Sequence, residues 1–446
     1  MLQTLINAFK VKEIRRKVYM MLLLLLVFRI GCFIPVPGLD RGNFETLFTG
    51  ESANDFLTLM SSITGGALAQ GTLFALGIGP YINASIIMQL LSVGIPALER
   101  LSKQGEEGRK KIAQYTRYVT ILLAIIQSVG IIISFANSAD AINTNLFFDK
   151  VWVAGVFMAA VYTAGAFIVM WLGERITDYG VGNGQSMIIF VGILSTAGAQ
   201  IVNKITQIST NPKAIWDLLF FIIVSAVIFF AIIYVDLSER KVPVQYAKQT
   251  AGGRQFGGAR QYIPLKVNAA NVMPIIFAQA IMFIPITLIG FSSNIDEASG
   301  FVRALMDHTS FWYNFIFFVL ILVFTYFYTA ITINPTQMAE DMKRNNGFIP
   351  GIKPGKNTAE FIDTVMSRIT LPGSVFLGLI AILPAFAGMF GVQPEFAQFF
   401  GGTSLLILVG VVLDTLQQVE SHLLMRHYDG LLSSGRIKGR SGVAAY

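Results

Sequence analysis

Side chains that could attack, hold a metal or move a proton are few in this chain of 446 residues. Its three histidines, His308, His422 and His427, are too sparse and scattered for a metal site. Its one cysteine, Cys32, can form no internal disulfide and implies no oxidising compartment. No Ser/His/Asp or Cys/His set is placed for nucleophilic catalysis. Gly182-Asn183-Gly184 is glycine-rich, but it opens an apolar run with no strand before it, so a nucleotide loop is not indicated. Ionisable residues deep in apolar runs would mark a pump or a proton-coupled carrier. Arg29 is the main one here, while Asp217, Asp236, Asp414 and Glu420 sit near run ends. Arg29 reads first as a buried structural partner or a snorkelling side chain. The expectation is a protein that is not an enzyme and takes no cofactor or metal.

The chain offers aliphatic side chains at helical spacing instead. Ile78 and Ile82 are four apart, and Ile189 and Ile193 repeat that interval. Alone, such pairs are ordinary helix packing. A hydrophobic constriction can also gate a pore by excluding water.

The elements that must carry these residues are membrane spans. The composition is 54% hydrophobic and 13% charged, against roughly 25% charged in a soluble domain, which points to lipid as the main solvent. A spanning helix needs about 20 apolar residues. Such runs lie near 18–36, 72–95, 117–136, 151–172, 184–203, 214–235, 271–292, 312–333, 371–391 and 403–424. Lys10, Lys12, Arg15, Arg16 and Lys17 before the first run resemble a signal peptide, but Phe33-Ile34-Pro35-Val36-Pro37 offers no small-residue cleavage site. The first run therefore reads as a span that stays. Of 33 Lys and Arg, 27 fall in the tails and in loops 96–117, 173–183, 236–270 and 334–370. By the positive-inside rule both termini are cytoplasmic, which agrees with an even span count. The net charge of +7 is first a topology signal, not a nucleic-acid footprint.

Two of these loops are too long to be mere connectors. Loop 236–270 holds Glu239-Arg240-Lys241-Val242-Pro243-Val244-Gln245-Tyr246, an alternation that fits one strand of a hairpin. Loop 334–370 holds Gly347-Phe348-Ile349-Pro350-Gly351-Ile352-Lys353-Pro354-Gly355. Between the first two spans, residues 55–68 are amphiphilic and too short to cross. They read as a one- or two-turn helix, either an external surface loop or backbone lodged inside the protein at membrane depth.

An internal repeat appears when Pro80 is aligned with Pro274. Pro80-Tyr81-Ile82-Asn83-Ala84-Ser85-Ile86-Ile87-Met88 then meets Pro274-Ile275-Ile276-Phe277-Ala278-Gln279-Ala280-Ile281-Met282. The segments open the second and seventh spans. An offset of five makes them cross in opposite directions, the inverted-repeat arrangement in which pathways lie between halves.

Phe74-Ala75-Leu76-Gly77-Ile78-Gly79-Pro80-Tyr81-Ile82-Asn83-Ala84-Ser85-Ile86-Ile87-Met88-Gln89-Leu90-Leu91 resembles the second-span signature of the SecY family. Ile34-Pro35-Val36-Pro37-Gly38, Gly182-Asn183-Gly184, Pro264-Leu265-Lys266-Val267-Asn268, Phe348-Ile349-Pro350-Gly351-Ile352 and Gly401-Gly402-Thr403-Ser404-Leu405-Leu406-Ile407 extend the resemblance over essentially the whole chain. It implies an all-α polytopic membrane protein, with ten transmembrane helices in two pseudo-symmetric inverted halves of five around a central pore. The halves would be residues 18–213 and 214–424, with cytoplasmic tails 1–17 and 425–446.

It further implies a pore ring of Ile78, Ile82, Ile189, Ile193, Ile276 and Ile407. It implies a plug at 57–68, with Leu57, Leu59, Met60, Ile63, Gly65 and Gly66. A lateral gate would set the second and third spans against the seventh and eighth, along Asn83, Ile87, Gln127 and Gln279. Arg240, Arg254, Arg260, Lys353 and Tyr428 are implied docking residues. The implied partners are SecE and SecG, the motor ATPase SecA, the ribosome, signal peptides and nascent chains, and the bilayer of a bacterial plasma membrane, with no direct nucleic-acid recognition beyond ribosomal contact. Two positions depart from the family pattern: Lys353 replaces an arginine, and Gly253 with Arg254 replaces two adjacent basic residues, with Arg260 as a possible substitute. The rival readings are a secondary transporter with inverted repeats and a non-transporting scaffold or insertase.

Overall fold

A computed structural model describes residues 11–37, 39, 64, 66–136, 151–210, 214–246, 249–251, 254–256, 260–290, 310–389 and 403–433. Each of the ten apolar runs falls on a helix. These are α1 (Lys12–Gly31), α2 (Gly79–Gly94), α4 (Glu106–Ala136), α5 (Val151–Tyr179), α6 (Gly184–Thr210), α7 (Ala214–Asp236), α8 (Met273–Gly290), α9 (Phe311–Thr332), α11 (Lys356–Met389) and α12 (Thr403–Ser433). Two short helices, α3 (Pro96–Lys103) and α10 (Pro335–Arg344), complete the set among the described residues. Among the described residues, five helical stretches are long and apolar enough to cross a bilayer, and a sixth span arises if α2 and α3 count as one. That pair bends by 105°. Ile95 is extended, as the residue before a proline must be, and Pro96 opens α3 where no backbone N–H is needed.

The all-α expectation needs correcting. β1 (Glu239–Tyr246) pairs antiparallel with β4 (Arg260–Lys266), in a register that sets Val242 opposite Ile263 and Glu239 opposite Lys266. A two-residue strand, β5 (Gly347–Phe348), adds to the other edge of β1 through Gln245 and Tyr246. A smaller hairpin joins β2 (Gln249–Ala251) to β3 (Arg254–Phe256). The sheet exists because loop 236–270 alternates: Val242 and Val244 are buried while Lys241 and Pro243 are exposed.

Two predicted helix starts are also corrected. Thr72 bridges to Pro35, residues 73–78 are a chain of turns, and α2 begins at Gly79. Gly77 is left-handed (φ +54), which breaks a helix, and Pro80 then fits the first turn. Conversely, α11 starts at Lys356, well before the apolar run at 371. Its first turns are amphipathic, with Ala359, Ile362 and Met366 buried on one face.

The aligned repeat recurs in backbone geometry. Pro80 and Pro274 are both the second residue of their helices, α2 and α8. Three residues earlier stand Gly77 (φ +54) and Asn271 (φ +51), both left-handed. The Gly77 N–H donates to the Phe74 carbonyl (2.8 Å), and the Asn271 N–H donates to the Asn268 carbonyl (3.5 Å). The Ile82 N–H reaches the Ile78 carbonyl (3.1 Å), as the Ile276 N–H reaches that of Val272 (3.4 Å).

The chain divides into two compact units, Met1–Thr196 with Gly410–Tyr446, and Ala197–Val409. In the first, Leu68, Leu76, Ala124, Met158 and Tyr162 form a core between α4, α5 and the turns before α2. In the second, Val242, Val244, Leu265, Met342, Ile349 and Ile362 pack the sheet onto α10 and the start of α11.

Candidate functional site

In the first unit the turn chain ahead of α2 sets the position of two aliphatic residues. Ile78 caps α2 and is buried, and Ile82 stands one turn on, half-buried. Asn83 and Ile87 share the exposure of Ile82, and Gln127 on α4 is half-buried as well. Ile189 and Ile193 lie in the second and third turns of α6, both buried. Asn183 caps this helix: its Oδ1 accepts from the Gln185 N–H at 3.0 Å. The Gly184 N–H donates to Thr177 Oγ1 at 2.9 Å, and a Cβ on Gly184 would stand 2.0 Å from the Gly173 carbonyl oxygen. The Gly-Asn-Gly motif is therefore a close helix–helix junction that fixes where Ile189 stands. Around Gly173 the Cδ1 atoms of Ile78 and Ile188 approach within 3.5 Å of an added Cβ, so α2 and α6 meet on one patch of α5.

In the second unit, Ile276 lies in the first turn of α8, half-buried, and Ile407 in the second turn of α12, buried. Gln279 Nε2 donates to Thr403 Oγ1 at 3.0 Å, which ties together the two helix starts that carry these isoleucines.

Of the predicted plug, Leu57, Leu59, Met60, Ile63 and Gly65 lie outside the described residues. Gly66 is a left-handed turn residue (φ +82), followed by the buried Ala67 and Leu68. The described end of that segment is thus turns inside the first unit and not a surface loop.

Of the residues expected to dock partners, three lie on strands. Arg240 is exposed on β1. Arg254 lies on β3 and Arg260 opens β4, and Tyr428 lies on α12; their side chains are outside the described set. Lys353 is exposed in a tight turn bounded by Gly351 (φ +88) and Gly355 (φ +108). Thr358 Oγ1 closes this turn by donating to the Lys353 carbonyl at 3.0 Å. Asn268, the last residue of the Pro-Leu-Lys-Val-Asn motif, donates through Nδ2 to Asp236 Oδ1 at 2.7 Å. The Val267 N–H donates to the Ser238 carbonyl at 3.0 Å, so both bonds seal the base of the hairpin.

Sequence reasoning missed the union of the two long loops through β5. The only signal was apolar residues in both loops with no partner of their own. An acidic residue at Val244 would put a charge into the shared core at a cost of at least about 3 kcal/mol. Val244→Asp is expected to make loops 236–270 and 334–370 sensitive to protease together in membrane vesicles. Cleavage confined to the first loop would deny the shared core.

These features can be set beside known proteins. Residues 72–416 match the SecY family model. Over 440 residues the chain is 42% identical to the protein translocase subunit SecY of Streptomyces coelicolor, covering 97% of this chain and 100% of that one. The fold resembles a solved protein-conducting channel with a TM-score of 0.64 at 20% identity, covering 92% and 93% of the two chains. It also resembles Sec61 in a canine ribosome–channel complex, with a TM-score of 0.60 at 19% identity over the same shares.

Proposed function

This chain belongs to the SecY family, and from that premise we propose how its residues make a channel. It is the central channel subunit of a protein translocase, passing unfolded secretory proteins across a membrane and releasing apolar segments sideways into lipid. The observation that carries this is identity of 42% to a translocase subunit along nearly the whole chain. The transporter alternative has no such support.

The ten helices form two inverted halves, residues 18–213 and 214–424, around a pore. The repeated turn ahead of α2 and α8 supports that division. Ile78, Ile82, Ile189, Ile193, Ile276 and Ile407 line its constriction, and the segment at 57–68 plugs it. An apolar ring lets an extended chain slide without specific contacts, and it resists wetting when empty. Asn83, Ile87, Gln127 and Gln279 lie along the sideways exit. The subunit does no catalysis and supplies no power. SecA or a ribosome drives the chain in from the surface that carries Arg240, Arg254, Arg260 and Lys353, Tyr428 is a further docking residue, and SecE and SecG complete the complex. A solved relative of this fold sits on a ribosome.

The protein is a multi-pass membrane protein. On α5, Trp152 and Trp171 are both exposed and stand about 28 Å apart at 1.5 Å per residue, close to the roughly 30 Å of a hydrocarbon core. Aromatic residues favour the two interfaces. The bacterial plasma membrane, with both termini cytoplasmic, fits the basic loops.

Crosslinking a stalled secretory chain to a photoreactive group at Ile82 tests the channel. Hydrophilic and hydrophobic stretches of the passing chain should both react. Reaction confined to hydrophobic segments would favour an insertase.

A further inference from the structure

Helices α4 and α5 of the first unit are joined by a polar pair that the pore itself does not use. Arg117 of α4 donates through Nε to Glu174 Oε1 at 2.8 Å and through Nη2 to Oε2 at 2.9 Å. Glu174 is the more buried partner, its side chain 23% exposed against 46% for Arg117. An ion pair in water contributes little. This one has the two-pronged geometry that fixes direction as well as distance. Its neighbours on α4, Tyr118 and Leu122, are exposed apolar surface of the kind that meets lipid. Losing Arg117 would leave the less exposed Glu174 carboxylate without its counter-charge.

Further along, α5 also meets the turns ahead of α2 backbone to backbone. A Cβ on Gly165 of α5 would stand 2.0 Å from the Leu73 carbonyl oxygen, in the turns that lead into α2. Gly165 and Glu174 are about 14 Å apart along α5 at 1.5 Å per residue. Between α4, α5 and those turns lies the core of Leu76, Ala124 and Tyr162. Two separate fastenings, one of packed backbone and one of charge, resist both sliding and splaying.

We propose that Arg117 and Glu174 form a latch that, together with the Gly165–Leu73 contact, keeps α2, α4 and α5 a single body. The sideways exit then opens at the outer edge of α2 and α4 and not at the seam between α4 and α5. The inference rests on the lateral-gate reading above. Arg117 and Glu174 are positioning residues: they fix α4, the helix that carries Gln127, against α5.

The test pairs Arg117→Cys with Glu174→Cys in the full translocase in membrane vesicles, with and without a short bismaleimide bridge. Cys32, the chain's one cysteine, is buried and does not compete for reagent. The unbridged variant should leak ions several-fold more at rest and should export a substrate whose signal sequence is defective. Bridging should return both readings to native values while normal export continues. A bridge that stops export would show that the α4–α5 seam must open, and an unbridged variant that behaves as native would show that the pair latches nothing. Either result overturns the proposal. If the cysteine variant does not accumulate, the exchange Arg117→Glu with Glu174→Arg should accumulate and behave as native. An exchange no better than Arg117→Glu alone overturns the latch too. Crosslinking to position 82 in the native vesicles separates the two layers. A chain that never reaches that position defeats the channel reading, whereas one that does leaves the latch to stand or fall on its own.

Discussion

Asparagine at Ile82 and Ile276 together will make the resting channel leak ions, by about tenfold per substitution. Fully burying an isoleucine side chain is worth about 1.5–3 kcal/mol, so a half-buried one is worth about 1–1.5 kcal/mol, and every 1.4 kcal/mol is a factor of about ten. A ring that stays dry through its side chains loses that preference when an amide replaces them. The two positions are equivalent by sequence alignment, by their place in the first turns of α2 and α8, and by the same backbone hydrogen bond. Both are half-buried, so neither is a keystone of its unit's core, and the variants should accumulate normally. Conductance of purified complex in planar bilayers checks this, and native conductance in the double variant would remove both residues from the ring.

Lys353→Glu will weaken docking of the motor ATPase by roughly thirtyfold, or about 2 kcal/mol, in the range expected when like charges face each other across an interface. The turn that presents Lys353 is built without its side chain. Gly351 and Gly355 supply the left-handed backbone, and Thr358 holds the Lys353 carbonyl. Reversing the charge therefore changes the surface and leaves the fold. Arginine at the same position, the residue of the family pattern, should bind at least as well because its planar fork adds a second hydrogen bond. Sedimentation of the motor with vesicles and the rate of export in the same vesicles measure both. Unaltered binding and export in Lys353→Glu would end the docking role of this turn.

Much of the architecture was legible because lipid imposes a coarse rule. A run of about 20 apolar residues marks a helix wherever it occurs, so all ten runs fell on helices. Where the rule blurs, the reading blurred. Residues 73–78 are apolar, yet a left-handed Gly77 keeps them out of α2, and hydropathy is blind to φ. The first turns of α11 mix Ile362 and Met366 with charges on the opposite face, so their average hydropathy is low although the helix is continuous. The β1–β4 hairpin showed in the alternation around Val242 and Val244. β5 did not, since two residues have no period. Ile78 with Ile82 and Ile189 with Ile193 stand out by spacing, whereas a ring that includes Ile276 and Ile407 is implied only by the family motifs. The Arg117–Glu174 pair does not stand out, because residues 57 positions apart leave no local signature. Nor did residue type reveal that Asn271 repeats Gly77. Only the backbone angle does.

That shared angle carries a historical consequence. Asparagine is among the few residues that tolerate a left-handed backbone, so it can occupy a glycine's place without rebuilding the turn. A duplicated ancestral segment whose second copy drifted from glycine to asparagine would leave this trace: different letters, one conformation. Substitution data then become transferable within a single chain. Any position found essential between 77 and 83 nominates its counterpart between 271 and 277, and a pair that fails to correspond dates a specialisation of one copy.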